Sequence, residues 1–262
     1  ISANIPGGQP SGAWVTPYIM DPTNSAILFA GFDIVWKTTD RGTSWTSASQ
    51  QLSATTKLRS LAIAPSNTNV LYAADQINLW KTTDGGATNW SSVTLPTTAN
   101  SVTYIAVKNS DANTLWITYG GYTDGSKVYE STDGGSSWTN ISSGLPNLPV
   151  MCTVHYKDLT DRHVLFAGTD VGVYVKDGAN AWASYNTGLP NVVVTELEIL
   201  YTGTTDRLRA ATFGRGLWET EISSPLPVEP MSFTASAADN AVLLRWTTAT
   251  EMNNHGFEIE RR

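Results

Sequence analysis

"VWKTTDRGTSWT" (35–46), "LWKTTDGGATNWS" (79–91) and "VYESTDGGSSWT" (128–139) are one phrase written three times. Each runs from an aromatic residue through a polar turn to a tryptophan. The turns read Thr38, Asp40, Gly42, Ser44, Trp45; then Thr82, Asp84, Gly86, Thr88 with one extra residue before Trp90; then Ser131, Asp133, Gly135, Ser137, Trp138. An aspartate opening a hairpin turn accepts hydrogen bonds from backbone amides two residues on, and glycine supplies the positive φ that closes it. The hydroxyl residues are expected to bind the same turn from its other side. The tryptophan is expected to bury its ring beside its hairpin, with the indole N–H available to a carbonyl.

The phrase recurs with a fixed period. Aromatics at Trp36, Trp80, Tyr129, Tyr174 and Trp218 are spaced by 44, 49, 45 and 44 residues, which marks a repeat architecture. Each unit holds an alternating segment such as "LRSLAIAPS", a small-residue apolar segment such as "AILFAG", the aromatic segment and a segment after the turn such as "SWTNIS". These segments read as short strands of five to eight residues bounded by Gly, Pro, Asn or Asp. Four strands per unit describe the blade of an all-β propeller. Helical periodicity is not sustained anywhere, so helical solenoids fit poorly, and a two-sheet sandwich does not repeat this regularly.

The pattern resembles the Asp-box, or BNR, repeat of sialidases, sorting receptors, photosystem assembly factors and xyloglucan-hydrolysing propellers, over roughly residues 1–222. A fourth copy, "VYVKDGANAW", keeps Asp177 and Trp182 but has Ala179 in place of the middle glycine, and the fifth unit has Trp218 without a box. In that family the box lies between third and fourth strands, away from the functional face. The resemblance therefore implies a structural role for Asp40, Gly42, Trp45, Asp84, Gly86, Trp90, Asp133, Gly135, Trp138, Asp177 and Trp182.

"ISANIPG" at the start matches the tail of a fourth strand, "ISSGLPN" from Ile141, so the first residues read as the end of a blade. "AATFGRGLWETEI" supplies second and third strands of a fifth blade and passes into the Pro-rich linker 223–230 with no fourth strand. Either the first strand completes that blade, or further blades precede; the second reading is preferred. The segment 231–262 reads as three strands. It resembles, in "SFTA", "WTTATE" and "GFEIER", the opening of the fibronectin-III-like module common in type IX secretion cargo of Bacteroidota. That likeness implies secretion or an outer-membrane surface location.

Sixteen basic against twenty-three acidic residues give a net charge of −7 with no basic cluster, which argues against nucleic acid and anionic membranes as partners. No stretch approaches a membrane span. The single cysteine, Cys152, sits in the apolar "PVMCTVHY" and is expected to be buried and inert. His155, His163 and His255 lack clustered partners, Asp158 and Asp161 read as a solvated turn, and neither metal nor cofactor is expected.

The resemblance brings two chemistries to test. Sialidase activity needs an arginine triad, but Arg41, Arg59, Arg162, Arg207, Arg209 and Arg215 do not recur at one blade position. A xyloglucanase-like hydrolase needs two opposed carboxylates. Asp33, Asp75, Asp124 and Asp170 all fall between second and third strands, yet three of them share one phase of the repeat, as turn residues do. The third unit alone enlarges that loop, "YGGYTDGSKVY", and loops on rigid scaffolds carry recognition. Tyr122, Asp124 and Arg215 are the candidate ligand-binding residues. The expected function is a non-catalytic binding or structural module for a protein or glycan at the cell surface, alone or within a larger surface assembly. An extracellular glycoside hydrolase is the alternative.

Overall fold

In the computed structural model the described residues are 4–8, 10–157, 164–203, 205–222, 230–238 and 241–248. Every element among the described residues that spans two or more paired residues is a strand. Blade one comprises β1 (Tyr18–Met20), β2 (Leu28–Gly31), β3 (Val35–Thr38) and β4 (Thr46–Ser47). Blade two comprises β5 (Ser60–Ile63), β6 (Leu71–Ala74), β7 (Leu79–Thr82) and β8 (Ser91–Val93). Blade three comprises β9 (Val102–Lys108), β10 (Asp111–Tyr119), β11 (Val128–Ser131) and β12 (Thr139–Asn140), and blade four β13 (Val150–Tyr156), β14 (Val164–Thr169), β15 (Gly172–Asp177) and β16 (Ala183–Ser184). Among the described residues blade five has three strands, β17 (Val194–Leu200), β18 (Arg207–Thr212) and β19 (Gly216–Glu221). All pairings are antiparallel and sequential, which makes the chain a five-blade β-propeller.

Every strand of blades one and two is shorter than the expected five to eight residues, and the outermost strands β4, β12 and β16 have two residues each. An outermost strand covers little apolar surface, and a short edge offers little backbone to a foreign strand. The second strands carry the burial. All four residues of β6 and all six of β14 are buried. In blades one, two and four the third-strand aromatic lies opposite a small residue, Ala30↔Trp36, Ala73↔Trp80 and Ala167↔Tyr174, which leaves the ring room on its own pleat, whereas in blade three Tyr129 lies opposite Ile117.

The core is laminated between blades. Phe29, Val35 and Leu52 of blade one pack with Leu58, Leu61, Leu71 and Trp90 of blade two. Tyr72 and Leu79 of blade two pack with Ile105, Ile117 and Tyr119 of blade three. Ala106, Trp116 and Val128 then meet Val150, Leu165 and Trp182 of blade four.

The aspartate turns clasp these layers together. Asp40 takes the Thr38 hydroxyl (2.7 Å), the Ser44 amide (2.8 Å) and the Ser44 hydroxyl (2.6 Å), while the Gly42 amide donates to Thr38 (2.9 Å). Asp133, Ser131, Gly135 and Ser137 repeat this arrangement. So in these two turns the amide two residues on belongs to the hydroxyl residue, and the carboxylate takes the amide four residues on. Only in the second turn, with its inserted residue, does Asp84 accept from Gly86 and Ala87. The tryptophans also reach further than expected. Trp90, Trp138 and Trp182 donate their indole N–H to carbonyls of the preceding blade, at Ala48 (2.7 Å), Thr94 (2.9 Å) and Ile141 (2.7 Å). In the degenerate fourth turn the Asp177 carbonyl accepts the Asn180 amide.

The chain divides into two compact units, Ile1–Glu198 with Ala210–Trp218, and Ile199–Arg209 with Glu219–Arg262. In the second, Arg207 and Arg209 both bind Glu219 (2.6 and 2.7 Å). There β20 (Pro230–Ala238) and β21 (Ala241–Thr248) form an antiparallel hairpin. The third expected strand of that segment, most of the linker, and Asp158, Asp161, Arg162, His163 and His255 lie outside the described residues. No helix among the described residues is long and apolar enough to cross a membrane.

Candidate recognition site

Antiparallel order puts the aspartate turns and the first-to-second-strand loops at one rim of each blade, and the second-to-third-strand loops and the blade-to-blade connections at the other. Asp33, Asp75, Asp124, Asp170, Tyr122 and Arg215 all lie in loops of this second rim.

Two of these four aspartates are engaged in holding the fold. Asp75 is 1% exposed. Its Oδ1 accepts the amides of Ile77 and Asn78 (both 2.8 Å), and its Oδ2 accepts the hydroxyls of Ser53 (2.9 Å) and Thr56 (2.8 Å). Burial pushes this carboxyl up, but the Ile77 amide and the Thr56, Asn78 and Ser53 side chains outweigh it and hold the group below its ordinary value. Asp33 faces Lys57 at 3.8 Å, and its carbonyl anchors the Leu52 amide at 2.9 Å. Asp75 is thus a turn group and Asp33 an anchor through its main chain; Asp170, which shares their phase, instead accepts the Tyr122 hydroxyl, and in its turn Thr169 takes the Val171 amide.

The blade-three loop is different. Tyr122 is 66% exposed, and its hydroxyl donates to Asp170 of blade four at 3.4 Å. Four tethers fix the loop that presents it. That hydroxyl is one; Thr123 donates to Asn100 (3.1 Å), Asn140 donates to the Gly125 carbonyl (2.7 Å), and Lys127 donates to the Gly121 carbonyl (2.8 Å). Lys127 is only 1% exposed, so its ammonium acts as a buried pin. Gly121 and Gly125, at φ of 79° and 66°, permit the bends between the tethers. Asp124 is exposed at the loop tip, where it attracts Lys127. Arg215 is exposed in the corresponding loop of blade five and forms no hydrogen bond or ion pair with Tyr122 or Asp124.

One pair had no sequence signal. Tyr104 on β9 donates its hydroxyl to Glu196 on β17 at 2.5 Å, joining innermost strands of blades three and five. Burial pushes the Glu196 carboxyl up, the Tyr104 hydrogen bond offsets part of this, and Glu198 adds like-charge repulsion. Tyr104 is itself pushed up by burial and by the Glu196 charge. Cys152 of blade four is fully buried beside them, its thiol also pushed up by burial, which suits the inert role expected of it. Among the described residues no group of three or more His, Cys, Asp or Glu gathers as a metal site.

The fold has known counterparts. Over 94% of its length the chain superposes on 34% of an ancestral GH74 enzyme, with a TM-score of 0.60 and 19% identity. Over 87% it superposes on 40% of the GH74 xyloglucanase from Xanthomonas campestris, with a TM-score of 0.59 and 18% identity. The GH74 enzyme of Niastella koreensis gives a TM-score of 0.50 at 17% identity, over 78% of this chain and 38% of that one. The chain thus spans well under half the length of these structures, and at such identities the likeness speaks to fold alone. No curated protein matches. The family model for Sortilin-Vps10, described as sortilin, neurotensin receptor 3, matches residues 33–172, more than half of the sequence, and the chain belongs to this family.

Proposed function

We propose that this propeller is a non-catalytic recognition module for a protein or glycan, working outside the cell or at its surface. One observation carries the reading: Tyr122 is exposed on a loop held by four tethers, on a rim where Asp33 and Asp75 are bound into the fold. A tethered aromatic binds without the entropic cost of ordering a loop. Its position away from the aspartate turns leaves it open to a partner. The extracellular placement rests on the fibronectin-III-like and type IX cargo likeness of residues 231–262, and a larger surface assembly is compatible with it.

A second reading, a glycoside hydrolase, is favoured by Glu196, a buried carboxyl pushed up as a general acid requires, with Glu198 two residues along the same strand. Binding and turnover assays on immobilised β-glucans, sialosides and candidate surface proteins separate the two. Recognition predicts binding that Tyr122→Ala abolishes and no turnover. Hydrolysis that Glu196→Gln abolishes would overturn it.

A further inference from the structure

The surface around Tyr122 is anionic as well as aromatic. Its hydroxyl donates toward the Asp170 carboxylate at 3.4 Å, and Asp124 stands exposed two residues along the loop. The cation nearest in sequence, Lys127, is buried with its ammonium donating to the Gly121 carbonyl; it feels the Asp124 charge from within, while Asp124 stays exposed at the loop tip. A phenol whose hydroxyl points toward a carboxylate keeps the electron-rich face of its ring. The negative face of such a ring, with Asp170 at its hydroxyl and Asp124 exposed on the same loop, attracts a cation. A neutral sugar would gain from stacking on the ring but nothing from Asp124 and Asp170 as charges. The net charge of −7 draws the same class of partner toward the molecule.

We infer that the Tyr122 loop is a seat for a cationic side chain, an arginine or lysine in a basic segment of a partner protein. This rests on the recognition reading and narrows its partner to a protein. The guanidinium lies over the ring face while Asp124 and Asp170 balance its charge. The tethers from Asn100, Asn140 and Lys127 keep the seat open in the free protein.

The test uses three probes against the whole chain: a fluorescent Arg-Gly repeat peptide, the same peptide with each arginine replaced by neutral citrulline, and a fluorescent xyloglucan oligosaccharide. The arginine peptide is expected to bind about tenfold more tightly than the citrulline peptide, and to weaken steeply as salt rises. Tyr122→Phe should retain most of the affinity, and Tyr122→Leu should lose about fivefold, because leucine is apolar but has no ring face. Asp170→Asn should lose a similar factor. Equal binding of the two peptides, or none of the arginine peptide, overturns the inference. If the oligosaccharide binds instead and Tyr122→Leu abolishes it, the cation seat is wrong while the recognition reading stands. If a Tyr122 variant changes no binding to any probe or to the panel above, both fail.

Discussion

Tyr104 and Glu196 stand 92 residues apart in sequence and on non-adjacent blades, yet the tyrosine hydroxyl donates to the carboxyl at 2.5 Å. Glu196 holds its proton to a higher pH in the folded chain than in the unfolded one, where a glutamate titrates near about 4.3. Its contribution is therefore fully present below that pH and is lost as pH rises through the folded value. Glu196→Gln keeps an acceptor for Tyr104 without the charge. It should melt higher than the parent at neutral pH and converge with it near about pH 4. Tyr104→Phe strips the buried carboxylate of its donor and should cost about 1.5–3 kcal/mol at neutral pH, less in acid. Melting curves across pH check both signs.

The aspartate turns titrate in the opposite sense. Hydrogen bonds from the Ser44 side chain and amide and from Thr38 hold Asp40 at about 2; those from Ser137 and Ser131 do the same for Asp133, and those from Thr88 and Thr82 for Asp84. Groups depressed in the folded state stabilise above their unfolded pKa, near about 3.9, and that stability is lost as pH falls through about 2. The parent should lose melting temperature steeply across this window. A triple Asp→Asn variant at 40, 84 and 133 should start lower at neutral pH and fall less.

Much of this was legible because it is local. A carboxylate, a hydroxyl and a glycine within seven residues mark each turn, but in the first and third the glycine amide goes to Thr38 and Ser131 while the aspartate takes the amide four residues on, a division of partners that the spacing alone did not specify. The destination of the tryptophan N–H was less legible, since its acceptor lies 41 to 44 residues earlier, though that distance is close to the repeat period itself. Tyr104 and Glu196 were not legible. Their strands read as ordinary alternating segments, and only the curvature of the blade stack brings them together. Likewise the enlarged loop was visible as length, while the burial of Lys127 beneath it depends on packing from blade three.

Glycine in the turns does two separate things, and two substitutions separate them. At Gly86 (φ 81°) an added Cβ would sit 2.3 Å from the Ala48 carbonyl, the same carbonyl that receives the Trp90 indole. At Gly125 (φ 66°) it would meet nothing within 4 Å. Gly125→Ala should cost only the left-handed strain of about 1–2 kcal/mol. Gly86→Ala adds a backbone clash and should cost clearly more, with Trp90 fluorescence changing in the folded state as the clasp opens. Equal costs would show that the turn, rather than the blade contact, sets the requirement for glycine.

A charge pattern across blades accompanies the integrity of the turns. Lys37 of blade one reaches the Gly85 carbonyl of the second turn at 3.4 Å and lies 5.3 Å from the Phe29 ring centre. Lys81 of blade two does the equivalent toward the third: it lies 5.4 Å from the Tyr72 ring centre, donates to Asn113 at 3.3 Å and is attracted by Asp133. In blade three the position belongs to Glu130, which accepts the Trp116 indole N–H at 2.9 Å, and the next turn is the degenerate one. There the cation comes from the other side, because Lys176 of blade four donates to the Asn180 carbonyl and feels the Glu130 charge. The intact third turn carries negative charge on Asp133 and faces a lysine from the blade before it, whereas the degenerate fourth turn stands behind a glutamate. Lys81→Glu should therefore destabilise by about 1 kcal/mol, relieved by high salt, because it sets a carboxylate against Asp133. Glu130→Lys should destabilise similarly against Lys176, and Lys176→Glu in the same chain should restore part of the loss. A double-mutant cycle with no coupling energy between positions 130 and 176 would remove the pairing from the account of how these blades choose their neighbours.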